Sequence, residues 1–316
     1  MADGTDCRSR STWITRRQAV ASGAGLAAAG VVFSLTPSLA EPSAIASRAI
    51  PHSGELLPVV GLGTATGYGG ADGQEQAALG QVIAQLIGGG GKLIDTASSY
   101  GSAEEVLGAI IPGGDRPKIF LATKLENAEA GQGTAELRHS LERLRTNTVD
   151  LLQLHNVHRS SQSLAAFRDW KAEGLCRYIG ITTTYGRDYQ AAEAILRREK
   201  PDFLQIDYSL ADREVEARLL PAAAEVGAGV LTALPFGRRS IFRAVAGKPV
   251  PDFAREFDAA TWPQFFLKYL LGHEAVTAVI PGTTNAEHMA DNLAAGRGRF
   301  PNAAQRKAMI AFYEAA

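Results

Sequence analysis

The sequence predicts an α/β protein closed as a (β/α)8 TIM barrel. Three observations carry that expectation. Short apolar runs recur along the chain, longer amphipathic segments separate them, and the alternation repeats about eight times over some 250 residues. The runs are mostly unbroken rather than alternating, as in strands buried on both faces. A doubly wound open sheet is the structural alternative. It would carry a glycine-rich phosphate turn leading straight from the first strand into a helix. Here "GLGTATGYGG" has the wrong spacing, and a glycine-rich loop follows it.

In chain order the strand runs are "LPVVGLGT" (57–64), "KLIDTA" (92–97), "KIFLATK" (118–124), "VDLLQLH" (149–155), "RYIGITT" (177–183), "FLQIDY" (203–208), "GVLTALPF" (229–236) and "AVTAVIPGT" (275–283). Helical spacing appears at 103–111, 133–145, 163–174, 189–200, 214–227 and 262–272. Pro221 lies inside the fifth of these, so that helix is expected to start late or kink.

A net charge of −1 and 46% hydrophobic residues suit one large soluble domain or two small ones. That balance gives no reason to expect nucleic acid or an anionic membrane as partner. The body of the chain has no long apolar run, so no membrane span is expected in the mature protein. The first forty residues differ. Arg16 and Arg17 precede an apolar stretch from Ala19 to Leu35, and Pro37, Ser38 and Ala40 follow. That order is the order of an export signal. The paired arginines resemble a twin-arginine signal, which exports proteins already folded. An ordinary secretory signal or an uncleaved anchor is the alternative. The expected organisation is therefore an export signal at 1–40, a Ser/Ala/Pro linker at 41–54 and one barrel domain at 55–316. The protein would meet the twin-arginine machinery and reach the periplasm. Cys7 would leave with the signal, so Cys176 has no disulfide partner in the mature monomer and reads as a packing residue.

In a barrel the working groups sit at the C-terminal ends of the strands. The second strand ends in Asp95, with Tyr100 in its loop; the third ends in Lys124 and the fourth in His155. Singly, each has a plain reading: a turn cap, a packing ring, a snorkelling cation, a hydrogen-bonded histidine. Together they deliver a carboxylate, an ammonium, an imidazole and a phenol to one rim. Asp95 and Lys124 would keep each other charged. Lys124 beside the phenol would lower the Tyr100 pKa from about 10 toward working pH. Tyr100 could then give a proton to a carbonyl oxygen, with His155 orienting that oxygen. One His, one Asp and one Lys do not make a zinc site, so no metal is expected.

These residues, with "LIDTASSYGSAEEVLG", "ATK", "SLERLRTNTVDLLQLH", "RYIGIT", "DFLQIDYS" and "VIPGTTNAEHMADNL" in that order, resemble the aldo-keto reductases over residues 56–296. The resemblance implies a barrel that passes hydride from NADPH to a small-molecule aldehyde or ketone. It implies Asp95, Tyr100, Lys124 and His155 as the catalytic four. It places Thr182 and Thr183 where the family holds the nicotinamide carboxamide with Ser-Asn, and it keeps Gln205. Gly63, Thr64 and Asp95 join the cofactor-facing set. Ala233 stands where the family has an aromatic ring over the nicotinamide, and Phe236 is the candidate replacement. Pro235, Phe236, Gly237 and Arg238 match the pyrophosphate loop. Gly282, Thr283, His288, Asp291 and Asn292 match the adenosine end, at the start of a helix that favours anions. That word holds no Arg or Lys, so NADH stays open beside NADPH. A short C-terminal tail implies an open substrate site, with Tyr68, Phe236, Phe242 and Trp262 as candidate walls. The Thr-Thr pair and the missing ring leave a second reading, a nicotinamide-binding sensor or regulatory subunit with little turnover. A barrel hydrolase using Asp95 or His155 is a third, but it gives residues 281–292 no purpose.

Overall fold

The structure is a computed structural model that describes residues 44–111 and 113–316. The expected export signal lies outside the described residues. Two short strands come first, β1 (Ser47–Ala49) and β2 (Leu56–Pro58). The chain then runs through β3 (Leu62–Gly63), α1 (Gly73–Gly88), β4 (Leu93–Asp95), α2 (Ala103–Ile110), β5 (Phe120–Leu125), α3 (Ala130–Arg143) and β6 (Val149–Leu154). Next are α4 (Ala165–Ala172), β7 (Cys176–Thr183), α5 (Tyr189–Glu199), β8 (Phe203–Asp207), α6 (Leu219–Val226) and β9 (Gly229–Ala233). The last elements are α7 (Ser240–Ala244), α8 (Trp262–Leu271), β10 (Val276–Val279), α9 (Ala286–Ala294) and α10 (Ala303–Glu314).

Strands β3 to β10 form one parallel sheet in sequence order. Parallel bridges from Val60 to Val279 and from Gly63 to Gly282 join its two edges, so the sheet closes as a (β/α)8 barrel. Closure needs Gly63: a Cβ there would stand 2.8 Å from the Ile280 carbonyl oxygen.

Period-2 alternation sorts the strand residues into two cores. Leu93, Phe120, Leu151, Phe203 and Leu231 point inward and fill the barrel. Ile94, Leu121, Leu152, Ile181 and Leu204 point outward to the helices. Each such side chain contributes about 1.5–3 kcal/mol on burial. The antiparallel β1–β2 hairpin supplies Ile50 and Leu57 to the inner core, both almost fully buried. Tyr178 anchors it by donating to Glu55 Oε2 at 2.7 Å and accepting from Ser53 Oγ at 2.8 Å.

Two expectations need correction. The run at 57–64 is not one strand: it divides between the hairpin and the barrel. Pro58 cannot donate a ladder hydrogen bond and ends β2. The stretch read as a linker contains β1 and the buried Ile50. As expected, a glycine-rich loop and not an immediate helix follows the first barrel strand, and α1 begins only at Gly73 behind an Asp72–Glu75 capping box. The expected helices omit α1 and α10, whereas the expectation at Pro221 is met. Arg218 breaks the helical path and α6 starts only at Leu219, placing Pro221 in its first turn. Cys176 is free and buried, and burial pushes its thiol up to about 12. No described helix is long and apolar enough to cross a membrane.

Candidate active site

The inward face of β5 runs Phe120, Ala122, Lys124, and that of β6 runs Leu151, Gln153. Below the rim these residues are apolar; at the rim they become polar. There Lys124 Nζ donates to Asp95 Oδ2 at 2.6 Å and to the Thr96 carbonyl at 2.7 Å. Gln153 Nε2 donates to the other carboxylate oxygen at 3.2 Å. The Lys124 and Asp95 side chains are only 3% and 4% exposed, so the pair is screened from water. Burial alone would pull the lysine down, but Asp95 and then Tyr100 outweigh it and hold its pKa above the ordinary value. Thr64, just after β3, supports Asp95, its N–H and hydroxyl both donating to the Asp95 carbonyl at 3.0 Å.

Tyr100 follows β4 in a loop pinned at several points. Ser98 N–H donates to the Lys124 carbonyl at 3.1 Å, and Ser98 Oγ donates to Glu136 Oε1 at 2.6 Å. Gly69 lets the preceding loop pass close by: a Cβ there would stand 2.9 Å from the Tyr100 carbonyl. The Tyr100 ring centroid is 4.9 Å from Lys124 Nζ. The His155 ring meets it edge-on, centroids 5.7 Å apart. Four residues from three neighbouring staves therefore converge. One expectation fails in sign. Burial raises the Tyr100 pKa, and the lowering by Lys124 is smaller. The phenol is held protonated, as a proton donor must be, and Lys124 is placed to stabilise the phenolate that donation leaves.

His155 directly follows β6, its N–H bonded to the Leu125 carbonyl at 2.8 Å. Its Nδ1 is bonded to Glu126 Oε1 and lies 3.3 Å from Ser99 Oγ. Glu126, Ser99 and Gln153 were missed from the sequence. Gln153 was readable, being two residues before His155 and so on the same strand face. Glu126 and Ser99 lie in loops, where no period applies.

Among the residues matched to cofactor binding, β7 and β8 align Thr182 with Gln205 and Thr183 with Ile206. Gln205 is 2% exposed and its Nε2 has no hydrogen-bond partner. Thr182 Oγ1 accepts from Asn156 N–H at 2.7 Å. Thr183 is not brought to their side, because Ile206 belongs to the outer core and alternation puts Thr183 there too. Ala233 packs against the inner core with no ring. Pro235 and Phe236 lead into Gly237, Arg238 and Arg239, all with positive φ. Phe236 packs against Phe242 in a tilted pair, ring centroids 5.1 Å apart. At the other end, Gly282 bridges Gly63 and Thr283 Oγ1 caps Asn285 N–H at 3.1 Å. The α9 N-terminus is already satisfied in part, since Asn285 Oδ1 accepts from Glu287 and His288 N–H. His288 is exposed, whereas Asn292 is buried. Asp291 turns to α8, accepting from Thr261 Oγ1 at 2.9 Å and Gln264 Nε2 at 2.7 Å. Two of the expected wall residues also serve packing. Tyr68 is buried and donates to the Thr283 carbonyl at 3.3 Å, and Trp262 stacks on Phe266 at 5.4 Å. Among the described residues no group of three His, Cys, Asp or Glu is placed to hold a metal.

A closed barrel with this polar rim defines a class, and comparison with known proteins agrees. Residues 59–306 match the aldo/keto reductase family, and the chain belongs to it. YqkF of Bacillus subtilis, named an uncharacterized oxidoreductase, is 27% identical over 254 residues, 69% of this chain and 82% of its own. An aldo-keto reductase from Klebsiella pneumoniae, solved in complex with NADPH, shares 25% identity at a TM-score of 0.69, covering 86% of this chain and 95% of its own. The thermostable aldo-keto reductase Tm1743, solved with the inhibitor epalrestat, shares 25% identity at a TM-score of 0.72, covering 84% and 99%.

Proposed function

We propose that this chain reduces an aldehyde or ketone to the alcohol with NADPH, and that Tyr100 is the general acid. The observation that carries this reading is the buried Lys124–Asp95 pair set 4.9 Å from the Tyr100 ring. A buried cation beside a protonated phenol is arranged to take up the negative charge that proton donation creates. NADPH, when bound, supplies a hydride to the carbonyl carbon. Tyr100 gives its proton to the carbonyl oxygen, and Lys124 stabilises the phenolate. Asp95 keeps Lys124 charged, and Gln153 holds Asp95. His155 orients the oxygen from the other side. The residues present fit a nicotinamide at one clear point. Gln205 Nε2 is a buried donor without a partner, a deficit of about 1–3 kcal/mol that a carboxamide oxygen would remove.

The test mixes purified protein with NADPH, follows nicotinamide fluorescence for binding, then adds a panel of aldehydes and quinones and follows absorbance. Turnover by wild type supports the reading. Binding with no turnover across the panel would favour the sensing alternative, and no binding would remove both.

Location is part of the same proposal. Arg16 and Arg17 before an apolar stretch support export of a folded, cofactor-loaded protein. Cell fractionation checks it. Protein expressed from the full sequence should be recovered outside the cytoplasm, and an Arg16→Lys, Arg17→Lys variant should stay inside. Equal export of both would contradict it.

A further inference from the structure

We propose that Glu126 is a positioning residue that fixes which nitrogen of His155 carries a proton, and so makes Nε2 a donor only in the doubly protonated ring. The inference rests on the carbonyl-reductase reading above and deepens it.

The geometry is specific. Glu126 Oε1 is bonded to His155 Nδ1. A carboxylate only accepts, so Nδ1 is the donor. In the neutral ring the other nitrogen is then a bare lone pair. A lone pair repels a carbonyl oxygen; an N–H attracts it. Glu126 is itself held in place. Its backbone N–H donates to Glu136 Oε1 at 2.9 Å, which fixes the loop after β5 to α3. Ser99 Oγ lies 3.3 Å from Nδ1 on the opposite loop. The Glu126 carboxyl is kept below the ordinary range, first by its bond to His155 and then by the Ser99 hydroxyl, against burial. The His155 side chain is 9% exposed and that of Glu126 47%, so the pair spans the rim from interior to solvent. The charged and titratable groups around this ring are Lys124 on β5, Asp95 on β4, and Tyr100 and Glu126 in the loops after those strands. β7 meets this corner with uncharged Thr182.

The reaction then gains a second proton requirement. With Nδ1 held as the donor to Glu126, only a ring protonated at both nitrogens offers an Nε2–H to the carbonyl oxygen. Removing the carboxylate frees the neutral ring to carry its proton on Nε2, with the Ser99 hydroxyl donating to Nδ1.

Histidine-ring 15N NMR on the whole protein reads the tautomer directly, the His155 signal being assigned by its loss in His155→Asn. In neutral wild type Nδ1 should carry the proton; in Glu126→Ala it should move to Nε2. Rate profiles should follow. Wild-type kcat/KM should fall about tenfold per pH unit above its limb, and the Ala variant should change by less than about threefold over that span. Its NADPH affinity should stay within about twofold, because Glu126 acts through His155. An Nε2–H tautomer in neutral wild type overturns the inference even if reduction proceeds. An Nδ1–H ring in a protein that reduces no carbonyl overturns the proposed function and leaves the tautomer assignment standing. Parallel pH limbs in wild type and Glu126→Ala count against the role of Glu126.

Discussion

A buried ammonium is tolerable only beside a carboxylate, and that constraint ties Lys124 to Asp95. Lys124→Met leaves Asp95 buried with Gln153 as its remaining side-chain donor, so stability should fall by about 3–5 kcal/mol in urea unfolding. Adding Asp95→Asn should return part of that loss, because the uncompensated charge goes too. The pH dependence has a definite sign. The folded lysine titrates above its ordinary value of about 10.4, so the stability of the pair is complete below that value. It is lost only as pH rises beyond it toward the folded pKa. Melting temperatures of wild type and Lys124→Met should therefore differ by a constant amount across neutral pH and converge in strong alkali. Tyr100 makes a different demand. Its phenol is held neutral by burial, so Tyr100→Phe should remove the donor with little change in fold. The rate should drop by about 10²–10⁴-fold.

The loops that carry these residues depend on one helix. Glu136 of α3 accepts from Ser98 Oγ, from the N–H of Glu126 and Asn127, and from Asn127 Nδ2. One carboxylate thus fastens the loop after β4 to the loop after β5. Glu136→Ala should cost about 2–3 kcal/mol and speed amide exchange at Glu126 and Asn127 well beyond the rest of the barrel. Uniform exchange would argue against such a clamp. The limits of sequence reading appear at this same scale. Asp95, Lys124 and His155 were legible because strand ends are marked by the close of an apolar run. Thr182 and Thr183 look equivalent in sequence, yet the two-residue period puts them on opposite faces. Glu136 was unreadable: it lies mid-helix, and what matters is which loops it faces. The Tyr100 shift was misjudged because burial, a property of the packed loop, exceeds the effect of its cationic neighbour.

At the scale of the molecule, the barrel is a filled cylinder with a chemical rim, and the hairpin is its floor. Leu57 reaches the inner core from β2 and is 1% exposed, so Leu57→Ala should cost about 2–5 kcal/mol in thermal or urea unfolding. The rim lies at the other end of the strands, so the variant should keep its kcat below its melting temperature. The central claim is that the Lys124–Asp95 pair readies the Tyr100 hydroxyl to protonate a carbonyl. The most direct measurement is single-turnover reduction of an aldehyde by preloaded NADPH, comparing wild type with Tyr100→Phe at matched cofactor occupancy. A loss of at least about a hundredfold with unchanged NADPH binding is the predicted result. Equal rates in the two proteins would contradict it.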